Sequence, residues 1–233
     1  MIKKFPATIT EIRDLSKTAK EVIFSLPEPL DFMPGHFVNV HMNIQGELVR
    51  RAYTISSSNK DKNTIALSIR LKEGGKMTPI FWEKDLTGTT VELMGPLGLN
   101  TADKMHSKHI YLFGFGVGAG VIRSFADYFK DKDEVEHITI ITGSRTEDDI
   151  LHKDYFDALL AESPKTRVSY VLSRHEGPHP FALKGYIQDH LGDLDFNHAD
   201  VFVCGQQAAC DTVVETIQSR NPDGCSFFIE SFG

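Results

Sequence analysis

The chain has 233 residues, 41% of them apolar and 24% charged, with a formal net charge of −7. This length buries one large core or two small ones, and the ordinary apolar fraction argues against disorder. Residues 1–105 carry 14 Lys+Arg against 12 Asp+Glu, and residues 106–233 carry 11 against 20; that split hints at two modules, and without basic blocks it argues against a nucleic-acid partner.

The opening MIKKFPATITEIRDL is basic but has no apolar run behind it, so no secretory leader is expected. No segment reaches the ~18 apolar residues of a membrane helix, so no span is expected and the cytoplasm is the default location. Short β-like runs follow: FPATITEI, EVIFSL, HFVNVHM, RAYTISS, TIALSIRL and TTVELM, separated by turn residues such as Pro34-Gly35 and Gly74-Gly75. Strands at this spacing predict an antiparallel barrel or sandwich. The stretch MTPIFWEKD has helical spacing and is read as one helix across the barrel end.

Within RAYTISS, Arg51 and Tyr53 share one strand face while Thr54 points the other way. A phosphate-binding fork, an aromatic platform and a hydroxyl thus lie in one short stretch. Further on, Gly74-Gly75-Lys76-Met77-Thr78 precedes the helix-like segment. Free backbone N–H groups at a helix start make an anion site, with Thr78 a candidate cap or phosphate donor. Singly, Tyr53 could be barrel core and the two glycines a hairpin turn; their joint occurrence is harder to explain that way.

Beyond GLNTADKMHSKH (residues 98–109) strand-like and helix-like runs alternate. HIYLFGFG precedes AGVIRSFADYFKDK, HITIITGS precedes ILHKDYFDALLAE, RVSYVLS precedes LKGYIQDHL, and DVFVCG precedes AACDTVVETIQSR before the strand SFFIESF. This repetition predicts a doubly wound parallel α/β sheet, so the expected division is an N-terminal antiparallel β-barrel over 1–103 and an α/β domain over 104–233. Gly114, Gly116, Gly118 and Gly120 fall where the first such strand becomes a helix, which suits either a pyrophosphate or merely tight packing. Ser173 and Arg174, with Lys184 and Tyr186 beyond, would suit a ribose 2′-phosphate, although a solvated loop arginine fits as well. Cys204-Gly205 ends a strand where a planar ring could lie, or is plain core.

Three cysteines are too few for a disulfide framework or for the four thiolates of an iron–sulfur cluster. The ten histidines show no ligand spacing, so no metal site is expected.

Taken together, these motifs resemble the ferredoxin–NADP reductase superfamily along essentially the whole chain. RAYTISSS is similar to that family's R-x-Y-[ST] flavin motif, with Pro34-Gly35-His36-Phe37 before it. Gly75 to Thr78 is similar to its pyrophosphate-cradling turn, and GPLG at 95–98, Gly114–Gly120, Cys204-Gly205 and Glu230-Ser231-Phe232 follow in the family's order. The resemblance implies FAD as cofactor and NADPH, or else NADH, as substrate. It implies that Arg51, Ala52, Tyr53 and Thr54 bind the flavin, with Ser68, Ile69 and Arg70 beside its adenosine part and Gly75, Lys76, Met77 and Thr78 at its pyrophosphate. Gly116, Val117, Gly118 and Ala119 would face the nicotinamide nucleotide's pyrophosphate, Ser173, Arg174, Lys184 and Tyr186 would form its 2′-phosphate pocket, and Ser144 is a further expected cofactor-binding residue. Cys204, Gly205 and Glu230 would flank the nicotinamide, Thr54, Cys204 and Glu230 forming the catalytic group, and Phe232 would cover the flavin. Val121 departs from the family's usual proline, and Gly233 extends one residue past the terminal aromatic.

The expected activity is hydride uptake from NAD(P)H, leaning to NADPH, and electron delivery to a separate small redox protein such as ferredoxin or flavodoxin. Two alternatives stay open: an NADH-dependent reductase component of an oxygenase, and an FAD-binding electron-transfer or sensing subunit of a larger complex.

Overall fold

A computed structural model describes residues 2–232. Six antiparallel strands form the first sheet: β1 (Lys3–Ser16), β2 (Ala19–Ser25), β3 (Phe37–Ile44), β4 (Glu47–Thr54), β5 (Thr64–Arg70) and β6 (Thr90–Leu97), in the order β4-β3-β6-β1-β2-β5. Strand β1 is long because it serves two partners. Its first half pairs with β6 and its second with β2, and register shifts between Ile9 and Glu11 and between Asp14 and Ser16 coil it between them. The two edges of the sheet then meet, through a bridge between Ile55 and Leu67 and a hydrogen bond from Ser56 N–H to the Ala66 carbonyl at 2.8 Å. The curled sheet closes on alternating apolar residues: Ile65, Leu67 and Ile69 of β5 are all fully buried.

MTPIFWEKD supplies only one helical turn, α1 (Ile80–Glu83), which buries Phe81. The longer helix read from its spacing does not form. Lys84 is already extended (φ −133°, ψ 142°), and the chain leaves the turn there.

The second sheet is parallel, with order β10-β9-β8-β7-β11-β12, formed by β7 (His109–Phe115), β8 (His137–Ser144), β9 (Thr166–Leu172), β10 (Ala182–Lys184), β11 (Ala199–Gln206) and β12 (Ser226–Phe232). Helices α2 (Gly118–Phe129) and α3 (Lys153–Glu162) cover one face and α4 (Gln207–Gln218) the other. Covered on both sides, β11 is buried from Ala199 to Gly205 rather than alternating. Helix α2 offers its stripe of Val121, Ile122, Phe125 and Phe129 to the sheet, with Phe125 stacked on Phe202 at 4.0 Å between centroids. The chain winds outward from β7 through β8 and β9, then restarts on the other side of β7 with β11. The turns after β7 and β11 therefore lie at the reversal of strand order, where open sheets of this kind take ligands.

The helix expected over LKGYIQDHL is not formed. That segment is the short strand β10 followed by a single 3₁₀ turn, Ile187–His190. Gly185 at φ +112° separates the two, and the Asp189 carboxylate accepts the Tyr186 N–H at 2.8 Å, spending the segment's polar groups on a turn. Among the described residues no helix is long and apolar enough to cross a membrane.

Asp200, at the start of β11, is buried and ties the connection between the sheets to β11. Its Oδ2 accepts the N–H groups of His106 at 2.6 Å and Ser107 at 2.8 Å. Replacing it by alanine strands both donors, so Asp200→Ala is expected to lower stability by about 2–4 kcal/mol in urea unfolding.

Candidate functional site

The two sheets meet chemically at Thr54 and Glu230. Thr54 ends β4 opposite Phe37, and the N–H of the next residue, Ile55, donates to the His36 carbonyl at 3.0 Å, so the strand end is held on both sides. The Thr54 hydroxyl donates to Oε1 of Glu230 on β12. Glu230 is in register with Cys204 of β11, Cys204 with Gly114 of β7, and Gly114 with Thr142 of β8. These four residues form one row across the carboxyl ends of the strands.

Burial pushes the Glu230 carboxyl up to about 7, against the opposing pull of the Thr54 hydroxyl. A carboxyl balanced there can take up or release a proton near neutral pH. Cys204 is fully buried in the cluster beneath α2; burial first, then the nearby carboxylate, raise its thiol well above the ordinary value. It is an un-ionised packing group, and no nucleophile.

On the barrel side, the half-buried Tyr53 ring packs on the barrel core, and burial lifts its phenol to about 12. Arg51 and Ala52 are exposed; Arg51 donates to the Arg50 carbonyl at 2.7 Å and, among the described residues, has no ion-pair partner. On β5, Ile69 is core and Arg70 is exposed. The Ser68 hydroxyl bonds Ser56, in the same RAYTISSS stretch as Thr54, at 3.2 Å and His152 of the second unit at 3.1 Å.

Thr78 does not cap α1. Its hydroxyl accepts the Lys72 N–H at 2.9 Å and donates to the Lys72 carbonyl at 3.4 Å, closing the 72–78 loop, while Pro79 holds the N-cap position. That loop leaves the backbone N–H groups of Lys76, Met77 and Thr78 without an acceptor among the described residues. The turn after β7 does the same for Val117 and Gly118. It is pressed so tightly on β11 that a Cβ at Gly118 would lie 2.3 Å from the Cys204 carbonyl oxygen. Each of the two units joined by Thr54 and Glu230 thus carries a cluster of free N–H donors, the chemistry that a pyrophosphate needs. The residues present fit a flavin dinucleotide on the barrel and a nicotinamide dinucleotide on the second sheet.

Farther along the second sheet, the Ser144 hydroxyl donates to the Asp149 carbonyl at 2.9 Å and that of Ser173 to the Ser144 carbonyl at 3.4 Å. Arg174 is exposed and its N–H donates to the Arg145 carbonyl at 2.9 Å, placing two arginines side by side, neither ion-paired among the described residues. Sequence reasoning missed Arg145, and the only signal for it is the register of β8 against β9. Tyr186 is exposed on the outer edge, and Phe232 is half-buried against the cluster under α2. His36, a residue of the flavin-motif strand, accepts the Met33 N–H on Nδ1 at 3.0 Å and shapes its own loop.

The family model described as the oxidoreductase FAD-binding domain matches residues 6–101, and that described as the oxidoreductase NAD-binding domain matches residues 112–215. In sequence the chain is 25% identical over 226 residues to the phenol hydroxylase P5 protein of Acinetobacter pittii, covering 94% of this chain and 63% of that protein. It is 29% identical over 211 residues to ferredoxin–NADP reductase B of Sorangium cellulosum, covering 86% of each. The chain thus spans less than two thirds of the first relative's length. In fold it superposes on the Amycolatopsis cytochrome P450 reductase GcoB with a TM-score of 0.89 at 24% identity, covering 99% of this chain and 70% of that one.

The Thr54–Glu230 contact has a measurable signature. Because the carboxyl is raised from 4.5 to about 7 on folding, its contribution to stability is full below pH 4.5 and is lost as pH rises through about 7. Thr54→Val removes the one hydrogen bond that favours the carboxylate, so the Glu230 midpoint is expected to move above 7 in isotope-edited infrared titration. An unmoved or lowered midpoint would show that the hydroxyl does not act on this carboxyl.

Proposed function

We infer from its membership (the chain belongs to the ferredoxin–NADP reductase family of FAD- and NAD(P)-dependent oxidoreductases) that it takes hydride from NAD(P)H and hands the electrons to an acceptor outside residues 1–233. The observation that carries this reading is the Thr54–Glu230 contact, which joins two units that each present free N–H donors.

On this reading residues 1–103 hold the flavin and residues 104–233 the nicotinamide nucleotide. Bound FAD supplies the two-electron uptake and the one-electron release. The chain's part is binding, orientation and proton handling. Arg51 and the N–H groups of 76–78 hold phosphate, and Tyr53 packs on the flavin ring. Val117 and Gly118 hold the pyrophosphate of the coenzyme. Cys204 and Gly205 give a small, close-approaching floor for a planar ring, and the buried row around them excludes water. Hydride brings two electrons and one proton; as the electrons leave singly, the proton has to be stored or released. Glu230, balanced near 7 and hydrogen-bonded by Thr54, is the group that does so.

NADPH is the favoured coenzyme because Arg145 and Arg174 are adjacent and free to grip a 2′-phosphate. NADH is the second reading, favoured by the acidic turn Glu147–Asp149 beside them, which would repel a 2′-phosphate. The acceptor is an oxygenase component or a ferredoxin-like protein, in keeping with what the two sequence relatives are called. Three free thiols suit a reducing compartment such as the cytoplasm.

Anaerobic mixing of the yellow protein with NADPH or NADH tests the reading. Rapid loss of flavin absorbance is expected with at least one coenzyme; a flavin untouched by both would leave the binding-subunit alternative. Arg145→Ala and Arg174→Ala are each expected to cut kcat/KM for NADPH by ~10- to 100-fold, as loss of a hydrogen bond to a charged group does, while NADH changes by less than about threefold. Equal losses with both coenzymes would remove the preference for NADPH.

A further inference from the structure

The polar contact between the two sheets converges on Arg123 of α2, whose side chain is only 18% exposed. Its Nε and Nη2 donate to the Ser56 carbonyl at 3.0 and 2.8 Å, and Nη2 also donates to Glu21 Oε1 at 2.6 Å. Glu21, on β2, is itself 5% exposed and faces Arg13 Nη1 at 3.6 Å as well. The remaining fork atom, Nη1, lies 3.1 Å from Nδ1 of His152.

A guanidinium can only donate, so Nδ1 of His152 has to accept and the imidazole proton sits on Nε2. From there the direction of each bond follows. His152 Nε2–H donates to Ser68 Oγ at 3.1 Å, Ser68 to Ser56 Oγ at 3.2 Å, and Ser56 to the Ala66 carbonyl at 3.0 Å. Every member is satisfied. Burial, followed by the charge of Arg123, lowers the imidazole to about 3, which agrees with a ring locked neutral. His152 holds this place at φ +57°, a left-handed conformation that a histidine seldom adopts.

Location gives the network its meaning. Ser56 lies two residues past Thr54, and Arg123 three residues past Gly120, in the first turns of the helix that opens with Val117 and Gly118. At Gly120 the helix touches the barrel so closely that a Cβ would lie 2.2 Å from Ser68 Oγ. Farther along, α2 is pinned independently: Ser124 Oγ donates to the Ser57 carbonyl at 2.6 Å, Ser58 Oγ to Asp127 at 2.5 Å, and Lys60 pairs with Asp131 at 2.6 Å. Loss of the Arg123 fork therefore tilts the nucleotide end of the helix while its other end stays docked.

We propose that Arg123 is a positioning residue that sets the spacing and tilt between the Thr54 end of the barrel and the nucleotide turn, with His152 as its neutral strut. This rests on the reductase reading above, because hydride transfer needs the reacting atoms at roughly 3–3.5 Å and a shift of about 1 Å costs about 100-fold.

The test uses the FAD-loaded protein and its Arg123→Lys variant, with Ser124→Ala as a control for loosened docking. Arg123→Lys is expected to keep its flavin and to bind NAD(P)H within about threefold, yet to be reduced ~10- to 100-fold more slowly. Nitrogen-15 NMR of His152 is expected to lose its single Nε2–H form, and spin labels on the two sheets to report a broadened distance. Ser124→Ala is expected to lower stability without slowing reduction. Wild-type reduction rates in Arg123→Lys, or a slowing matched in Ser124→Ala, would overturn the positioning role. So would an unchanged His152 signal with an unchanged distance, even if the wild type is reduced normally. A wild-type flavin that stays oxidised overturns the reductase reading instead, and the hydride part of this proposal with it.

Discussion

A hydroxyl from one sheet meeting a carboxyl from the other is the contact on which this architecture depends. Thr54 is placed by the closure of the barrel, where the end of β4 bridges to β5, and Glu230 by the parallel pairing of β12 with β11. Neither side chain has a task within its own unit. Their meeting joins the two units through a titratable group. The carboxyl is held so high because burial opposes its ionisation and only one hydroxyl offsets the cost of charging it.

Holding that contact requires the two units to be fixed against each other, and the interface does so with directed polar bonds. Arg123, Glu21 and His152 are largely enclosed; Arg123 donates across to Glu21 and to the Ser56 carbonyl and His152 across to Ser68, while the Arg123–His152 bond braces the pair within its own unit. Buried charge and hydrogen bonds give less net stability than apolar packing, but they tolerate few alternative arrangements. An interface whose role is orientation is well served by that trade.

Much of this was legible in the residues. The β-like runs before residue 105 and the strand–helix alternation after it describe both sheets, because alternation and continuous apolar runs follow directly from one-sided and two-sided burial. Thr54 and Glu230 stood out through their motifs. The failures were local or long-range. LKGYIQDHL has helical spacing, but Gly185 in a left-handed conformation and the Asp189 carboxylate make it a strand and a turn. MTPIFWEKD stops after one turn. Arg145 and Arg123 carried no signal at all, because each acquires its role from a partner that only the folded chain brings near, Arg174 in one case and Ser56 in the other. Spacing also could not reveal that the hydroxyls of Ser144 and Ser173 each donate to a backbone carbonyl.

Strand β12 is one of the two edge strands of its sheet and pairs with β11 alone. A strand held on one side frays more readily than the interior of the sheet, at a free energy well below that of global unfolding. The carboxyl that meets Thr54 is thus borne by an edge strand of its unit. Local peeling of a few residues would swing it into water, ionise it and break its contact with Thr54 while both cores stayed intact.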